Sequence, residues 1–168
     1  MITAMKDPAF PLRGGCVCGA ARYEMATAAL FVHCCHCTWC QRESGAAFAL
    51  NAMIESDRVT LTAGTVQGVR TPSNSGKGQT VFRCPHCQVA LWSHYAGAGD
   101  AVKFLRVGTL DEPFRPAPDI HIFTSTKQPW VLLDPATPAV AEYYDRNHHW
   151  PESSLERRRA LLAVRTPT

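Results

Sequence analysis

Seven of the eight cysteines fall into three clusters with metal-ligand spacing: Cys16-x-Cys18, Cys35-x-Cys37-x-x-Cys40 and Cys84-x-x-Cys87. Four thiolates complete a tetrahedral zinc site, and three leave one position vacant. Closed zinc sites are structural, whereas open ones admit water or substrate and do chemistry. The cysteine pattern therefore predicts one site of each kind.

The run Cys34-Cys35-His36-Cys37-Thr38-Trp39-Cys40 supplies the open site. In extended backbone successive side chains alternate between faces, so Cys35 and Cys37 point one way, and Cys34 and His36 the other. A turn through Thr38-Trp39 brings Cys40 back to the first face. Cys34 is thereby left over and reads as a small buried apolar residue. Cys84-Pro85-His86-Cys87 has a competing reading as a thiol–disulfide motif, but that chemistry needs a helix following the cysteines. Residues 88–95 read instead as a strand, which favours a zinc knuckle with Cys16-x-Cys18 as its partner pair. Iron is the other metal four cysteines could hold, although no cluster has the ferredoxin ligand runs. His33, His36 and His86 sit beside cysteines, yet each alternates away from the nearest ligands. His94 and His121 read as core or supporting histidines, and His148-His149 as solvated. Trp92 and Trp130 read as core. Glu43, just after Cys40, reads as a surface residue, with proton shuttling as its functional alternative.

Many short strands must position these residues. Apolar alternation and turn residues predict strands over 20–25, 29–33, 46–54, 58–63, 67–70, 79–84, 89–95, 102–107 and 121–123. Val59 and Leu61 share one face. A short helical turn is expected over 41–45. Residues 72–78 are turn chemistry, and Gly97, Gly99 and Asp100 make a hairpin loop. Helices are expected over 138–146 and 152–163, the latter with Pro151 at its start and Ser153-x-x-Glu156 as a capping box. The class is mainly β with a short C-terminal helical tail.

At 168 residues and 46% apolar content the chain suits one domain with a real core. Neither a secretory signal nor a membrane-span-length apolar run is read from the sequence. A cytoplasmic location follows as the expectation, and in a reducing compartment cysteines serve metals more often than disulfides. The formal charge of +3 is brought close to zero by seven thiolates and two zinc ions, and basic residues are scattered. Arg157-Arg158-Arg159 reads as a solvated helix face, and no nucleic-acid or membrane partner is expected.

The combined pattern resembles the glutathione-dependent formaldehyde-activating enzyme family, which also includes centromere protein V. The matching residues are Gly15-Cys16-Val17-Cys18-Gly19, the run Cys35-His36-Cys37-Thr38-Trp39-Cys40-Gln41-Arg42-Glu43-Ser44-Gly45-Ala46-Ala47-Phe48, then Phe82-Arg83-Cys84-Pro85-His86-Cys87, Gly108-Thr109-Leu110-Asp111, and His121-Ile122 ahead of Pro129-Trp130. Gln88 stands where the family usually has glycine. The resemblance implies a zinc-clamped β-tent fold like that of type B methionine sulfoxide reductases. It divides the chain into an N-terminal lead-in (1–12), a zinc-binding β domain (13–135) and a C-terminal helical extension (136–168). It implies structural zinc on Cys16, Cys18, Cys84 and Cys87, and a catalytic-type zinc on Cys35, Cys37 and Cys40, two ions per chain. The implied activity is that of a carbon–sulfur lyase acting on a glutathione–formaldehyde adduct or a related small thiol. The alternatives are a non-catalytic zinc module that binds protein or nucleic acid, and a methionine sulfoxide reductase-like enzyme using Cys34.

Overall fold

A computed structural model describes residues 9–164. Residues 1–8 of the expected lead-in lie outside the described residues. Among the described residues ten strands form two sheets. The smaller sheet contains β1 (Leu12–Gly15), β2 (Arg22–Met25) and β5 (Val59–Ala63) in the order β1-β2-β5, all antiparallel. The larger holds β3 (Phe31–Cys35), β4 (Ala49–Glu55), β6 (Gln67–Thr71), β7 (Gln79–Arg83), β8 (Ala90–Tyr95), β9 (Val102–Arg106) and β10 (Ile120–Ile122). Its order is β10-β3-β4-β9-β8-β7-β6, and only the β10–β3 pair is parallel. The class is the mainly β one expected from the sequence.

Burial follows from which faces are covered. β2 alternates in burial as a half-buried strand should, whereas β3 is buried along its whole length. Alternation sends Val32 of β3 into a core between the sheets, with Leu12, Tyr23, Ile54, Trp92 and Leu105. Phe31 and Cys35 enter a second core on the other face, with Met53, Ile120, Tyr144 and Trp150. Trp92 is core, as read, packed edge-on against Tyr23 at 6.1 Å. The Tyr23 hydroxyl is paired with Thr109 Oγ1 at 2.8 Å. Gly64 closes β5 at φ 71°, and a Cβ there would lie 1.9 Å from the Ala20 carbonyl oxygen. Only glycine fits both constraints.

Between β3 and β4 runs α1 (Thr38–Ser44), which starts three residues earlier than expected and is ended by Gly45 in the left-handed region at φ 67°. The C-terminal segment carries α2 (Arg146–His149) and α3 (Glu152–Ala163). α3 has its expected limits, but the capping box does not form. Pro151 occupies the cap and its carbonyl accepts the Ser154 N–H at 2.9 Å, while Ser153 lies inside the first turn. The helix expected over 138–146 does not form before Arg146; the segment is irregular, with one parallel bridge from Ala139 to His121. Its backbone is engaged by β10 and the residues that follow: His121 N–H donates to the Pro138 carbonyl at 2.8 Å, Val140 N–H to His121 at 3.0 Å, and Phe123 N–H to Glu142 at 2.9 Å. Groups committed to a neighbouring strand are lost to a helix.

Two further readings change. Trp130 is 70% exposed, so it is not core. The arginine run is not a solvated face, because its members diverge around the helix. Arg157 grips the buried Glu55 carboxylate at 2.6 and 2.8 Å and the Ala28 carbonyl at 3.1 Å. Arg158 borders a cavity, and only Arg159, paired with Glu152 at 2.5 Å, is a surface contact.

Candidate metal centre

The first thiol cluster sits where the two sheets meet. Cys16 and Cys18 follow β1, and Cys84 and Cys87 follow β7. Backbone bonds shape both loops: Cys16 N–H donates to Ala21 and Gly19 N–H to Cys16, each at 3.1 Å, while Cys84 N–H donates to Val89 and Gln88 N–H to Cys84, each at 3.0 Å. Gln88 adopts φ 60°, the conformation that favours glycine, and its side-chain amide donates to the Pro85 carbonyl at 3.0 Å. The four sulfurs lie within 4.8 Å of one another. Cys16 Sγ is 3.4 Å from Cys18 Sγ, which is 3.7 Å from Cys84 Sγ. A zinc–sulfur bond of about 2.3 Å puts tetrahedral ligands about 3.8 Å apart, whereas a disulfide needs about 2.05 Å. The spacing fits a metal and not a disulfide. Burial alone would raise the Cys16 thiol, but the Ala21 N–H and the neighbouring cysteines outweigh it and bring it down to about 6. This donor set already favours a thiolate, as a cation site requires.

The second cluster lies at the end of β3 and the start of α1, on the face of the second core. Cys35, Cys37 and Cys40 are all buried, their sulfurs within 4.8 Å of one another. Cys37 caps α1 and its sulfur accepts the Cys40 N–H at 3.4 Å. The loop is pinned from β10: His36 N–H donates to the Ile122 carbonyl at 3.0 Å, and the His36 carbonyl accepts from Gln41 Nε2 at 2.6 Å and Thr126 Oγ1 at 3.1 Å. Among the described residues no fourth Cys, His, Asp or Glu completes this set. Hydrogen bonds from Cys35 and then Cys40 pull the Cys37 thiol well down, and the same sharing pushes Cys35 up. Crowded, buried thiols holding an anion among them fit a metal cation with one position open. A cavity of about 490 Å³ is lined in part by these three cysteines.

The opposite face of the same loop holds a grouping that the sequence only half revealed. Cys34 Sγ lies 3.6 Å from His36 Nε2, which lies 3.0 Å from His121 Nδ1, and all three residues are buried. Cys34 thus points away from Cys35, as alternation predicts. Burial raises its thiol to about 12 and lowers His36 to about 4, so both are neutral, unlike the thiol sets. The parallel pairing of His121 with Cys34 in β10–β3 creates this grouping, and nothing local in the sequence encodes it. The other flanking histidines part company. His33 pairs with the Tyr144 hydroxyl, which also accepts from Trp150 Nε1 at 2.8 Å. His86 is exposed, and His94 Nδ1 lies 3.2 Å from the Gly99 carbonyl.

Glu43 is neither a solvated residue nor a free proton shuttle. Its side chain is only 8% exposed and is held by Arg83 at 2.5 Å and Arg106 at 2.7 Å. Arg106 also bonds Asn51 and, at 3.2 Å, Ser93. A carboxylate shared by two guanidiniums is a brace between α1 and the sheet.

The model of one protein family, described as glutathione-dependent formaldehyde-activating enzyme, matches residues 11–126. No curated protein matches the chain. A crystal structure of a Rhodobacter sphaeroides protein is similar over 60% of this chain and 88% of that one, at 16% identity and a TM-score of 0.46.

Proposed function

We propose a zinc-dependent carbon–sulfur lyase from this premise: the chain belongs to the glutathione-dependent formaldehyde-activating enzyme family. Its substrate is the formaldehyde adduct of glutathione or of a related small thiol. Cys16, Cys18, Cys84 and Cys87 hold a structural zinc, and Cys35, Cys37 and Cys40 a catalytic-type zinc, within a zinc-binding domain over 13–135. The observation that carries this reading is the incomplete set of three buried thiols opening onto a cavity. A zinc ion bound there supplies an open position for a thiolate sulfur and Lewis acidity towards an aldehyde oxygen.

The chain's own residues supply placement. Cys37 and Cys40 are fixed by the first turn of α1 and Cys35 by β3, so the donors are set before substrate arrives. Ile122 and Thr126 hold the loop from behind, and the Glu43–Arg106 pair fixes α1 against β9. The apolar second core on this side restricts water and raises the local strength of electrostatic contacts. In the reaction the substrate sulfur adds to the aldehyde carbon, a carbon–sulfur bond replaces the carbonyl π bond, and the thiol proton ends on the hydroxyl oxygen. A free thiol is only a few per cent ionised at neutral pH, so holding a sulfur as thiolate is the main assistance the step needs. Eight cysteines without a disulfide suit a reducing, cytoplasmic setting. Among the described residues no helix is long and apolar enough to cross a membrane.

The test is NMR exchange between formaldehyde and S-hydroxymethylglutathione, with and without fully zinc-loaded protein, repeated with other thiols. Acceleration that Cys37→Ser abolishes is the expected result. No acceleration with any thiol overturns the lyase reading and leaves a zinc-binding module in its place.

A further inference from the structure

The cavity beside Cys35, Cys37 and Cys40 has a chemical character of its own. Its walls are largely apolar, built by Leu30, Met53, Phe104, Trp150 and Leu161. Its charged border is one-signed. Arg146 of α2 and Arg158 of α3 both line it. The charge of Arg146 acts on His33, Tyr144 and Arg158. Arg158 is affected most by its own burial and then by Arg146, and both lower its pKa. Among the described residues no ion pair joins either guanidinium to a carboxylate, whereas Arg83 and Arg106 share Glu43 and Arg157 holds Glu55. Two further polar atoms on the cavity lining have no partner. Arg146 Nε is a donor and Gln79 Oε1 an acceptor, and Gln79 is only 8% exposed. Buried polar groups in folded proteins find partners, so these two mark positions that a ligand completes.

We propose that this cavity takes a thiol, or its aldehyde adduct, made of one apolar or aromatic body with a terminal anion held by Arg146 and Arg158, in preference to glutathione. The sulfur end rests on the three-thiolate zinc reading given above. The body and the anion rest on the cavity alone. Glutathione carries two carboxylates, an ammonium and two peptide groups. Apolar walls would strip water from those groups while pairing few of them, and each group left unpaired weakens binding. An aryl or alkyl body meets the same walls without that cost. The anion relieves the mutual repulsion of the two arginines, and a donor beside it would pair with Gln79.

Calorimetric titration of zinc-loaded protein decides the matter. The probes are 4-(mercaptomethyl)benzoate, the matching phosphonate, the matching carboxamide, and glutathione, with 4-methylbenzoate as a sulfur-free control. The expected result is that one of the two anionic aryl thiols binds at least about tenfold more tightly than both the carboxamide and glutathione, a gap of about 1.4 kcal/mol. The tighter anion identifies the head group. In Arg146→Ala/Arg158→Ala the preference for the anion disappears while carboxamide binding stays unchanged, which also certifies that the cavity is intact. Should the double variant lose carboxamide binding, Arg158→Gln alone must show the same loss of preference. Glutathione binding as tightly as the aryl thiols, or an anion preference that survives both variants, overturns the proposal. The lyase reading fails separately. Tight anionic aryl binding, 4-methylbenzoate included, with no acceleration of formaldehyde exchange would remove that reading and leave the cavity's preference standing.

Discussion

Arg157→Ala tests what the C-terminal helix contributes. Arg157 makes a two-pronged contact with Glu55, whose side chain is 5% exposed, and also caps the Ala28 carbonyl. Removing one partner of a buried ion pair costs about 3–5 kcal/mol, because the other charge is left uncompensated. Two features reduce the figure here. The Arg157 side chain is 23% exposed, and Arg58 Nε remains 3.4 Å from Glu55. A loss of about 2–3 kcal/mol results, or about 5–10 °C in melting temperature for a domain of this size. The sign of the pH dependence follows from Glu55. Burial pushes its carboxyl up, but the hydrogen bond from Arg157 overrides this and leaves it below the usual range. The folded state therefore binds fewer protons than the unfolded one. The stabilisation is complete above the unfolded value of about 4.3 and is lost as pH falls through the lower folded value. In Arg157→Ala the burial effect is opposed only by the Glu55 backbone N–H and by Arg58, so Glu55 titrates at higher pH than in the unaltered protein. The gap between the proteins should be full at pH 7 and shrink as pH falls through the variant's Glu55 value towards the lower value of the unaltered protein. Urea melts at several pH values, with zinc content checked at each, read this out. Glu55→Gln in the Arg157→Ala background should recover part of the loss. A change under about 0.5 kcal/mol, or no recovery in the double variant, would refute the ion-pair account.

Cys84→Ser should lose one zinc equivalent and unfold, since a structural zinc contributes on the order of 10 kcal/mol, whereas Cys37→Ser should abolish exchange activity at much smaller cost to the melt. Equal destabilisation would remove the division of labour between the sites. Cys34→Ala should leave zinc content at two per chain, because its sulfur faces His36 and His121 and not the three-thiol set; loss of one equivalent by mass spectrometry under native conditions would show that the wrong cysteines were chosen. Gln88→Val should lower stability by about 1–3 kcal/mol, because a β-branched residue is strained at positive φ and the amide bond to Pro85 is lost. An unchanged thermal melt of zinc-loaded protein would refute that strain.

The parts of this molecule that the sequence made legible are those encoded over a few residues. Strand alternation separated Cys34 from Cys35 and Cys37, and Pro151 marked where the helix expected over 152–163 begins. What escaped was set by distant partners. Residues 138–146 have good helical composition, but β10 engages their backbone groups. Glu43 looked like a surface residue because nothing nearby announces Arg83 and Arg106, which are 40 and 63 residues away. The triplet Arg157-Arg158-Arg159 reads as one basic block along the chain. A helix turns each residue about 100° from the last, so the block becomes an ion-pair anchor, a cavity border and a surface contact.

The two margins of the large sheet are unequal. β10 is three residues long, and the chain over 138–142 lies against it. β6, at the far margin, bonds only β7 among the described residues, and its outer row of amides and carbonyls faces outward along mostly exposed residues. Such a margin is a template for another chain, which Arg70 and Gly68 discourage by charge and by weak strand propensity. The hairpin that carries it ends one residue before Cys84. On the zinc reading proposed above, stripping metal from the four-thiol site should loosen this margin first, with intermolecular strand pairing at β6 as the expected failure of the apoprotein. Chelator exposure during purification should accordingly turn the protein turbid before its helical signal falls.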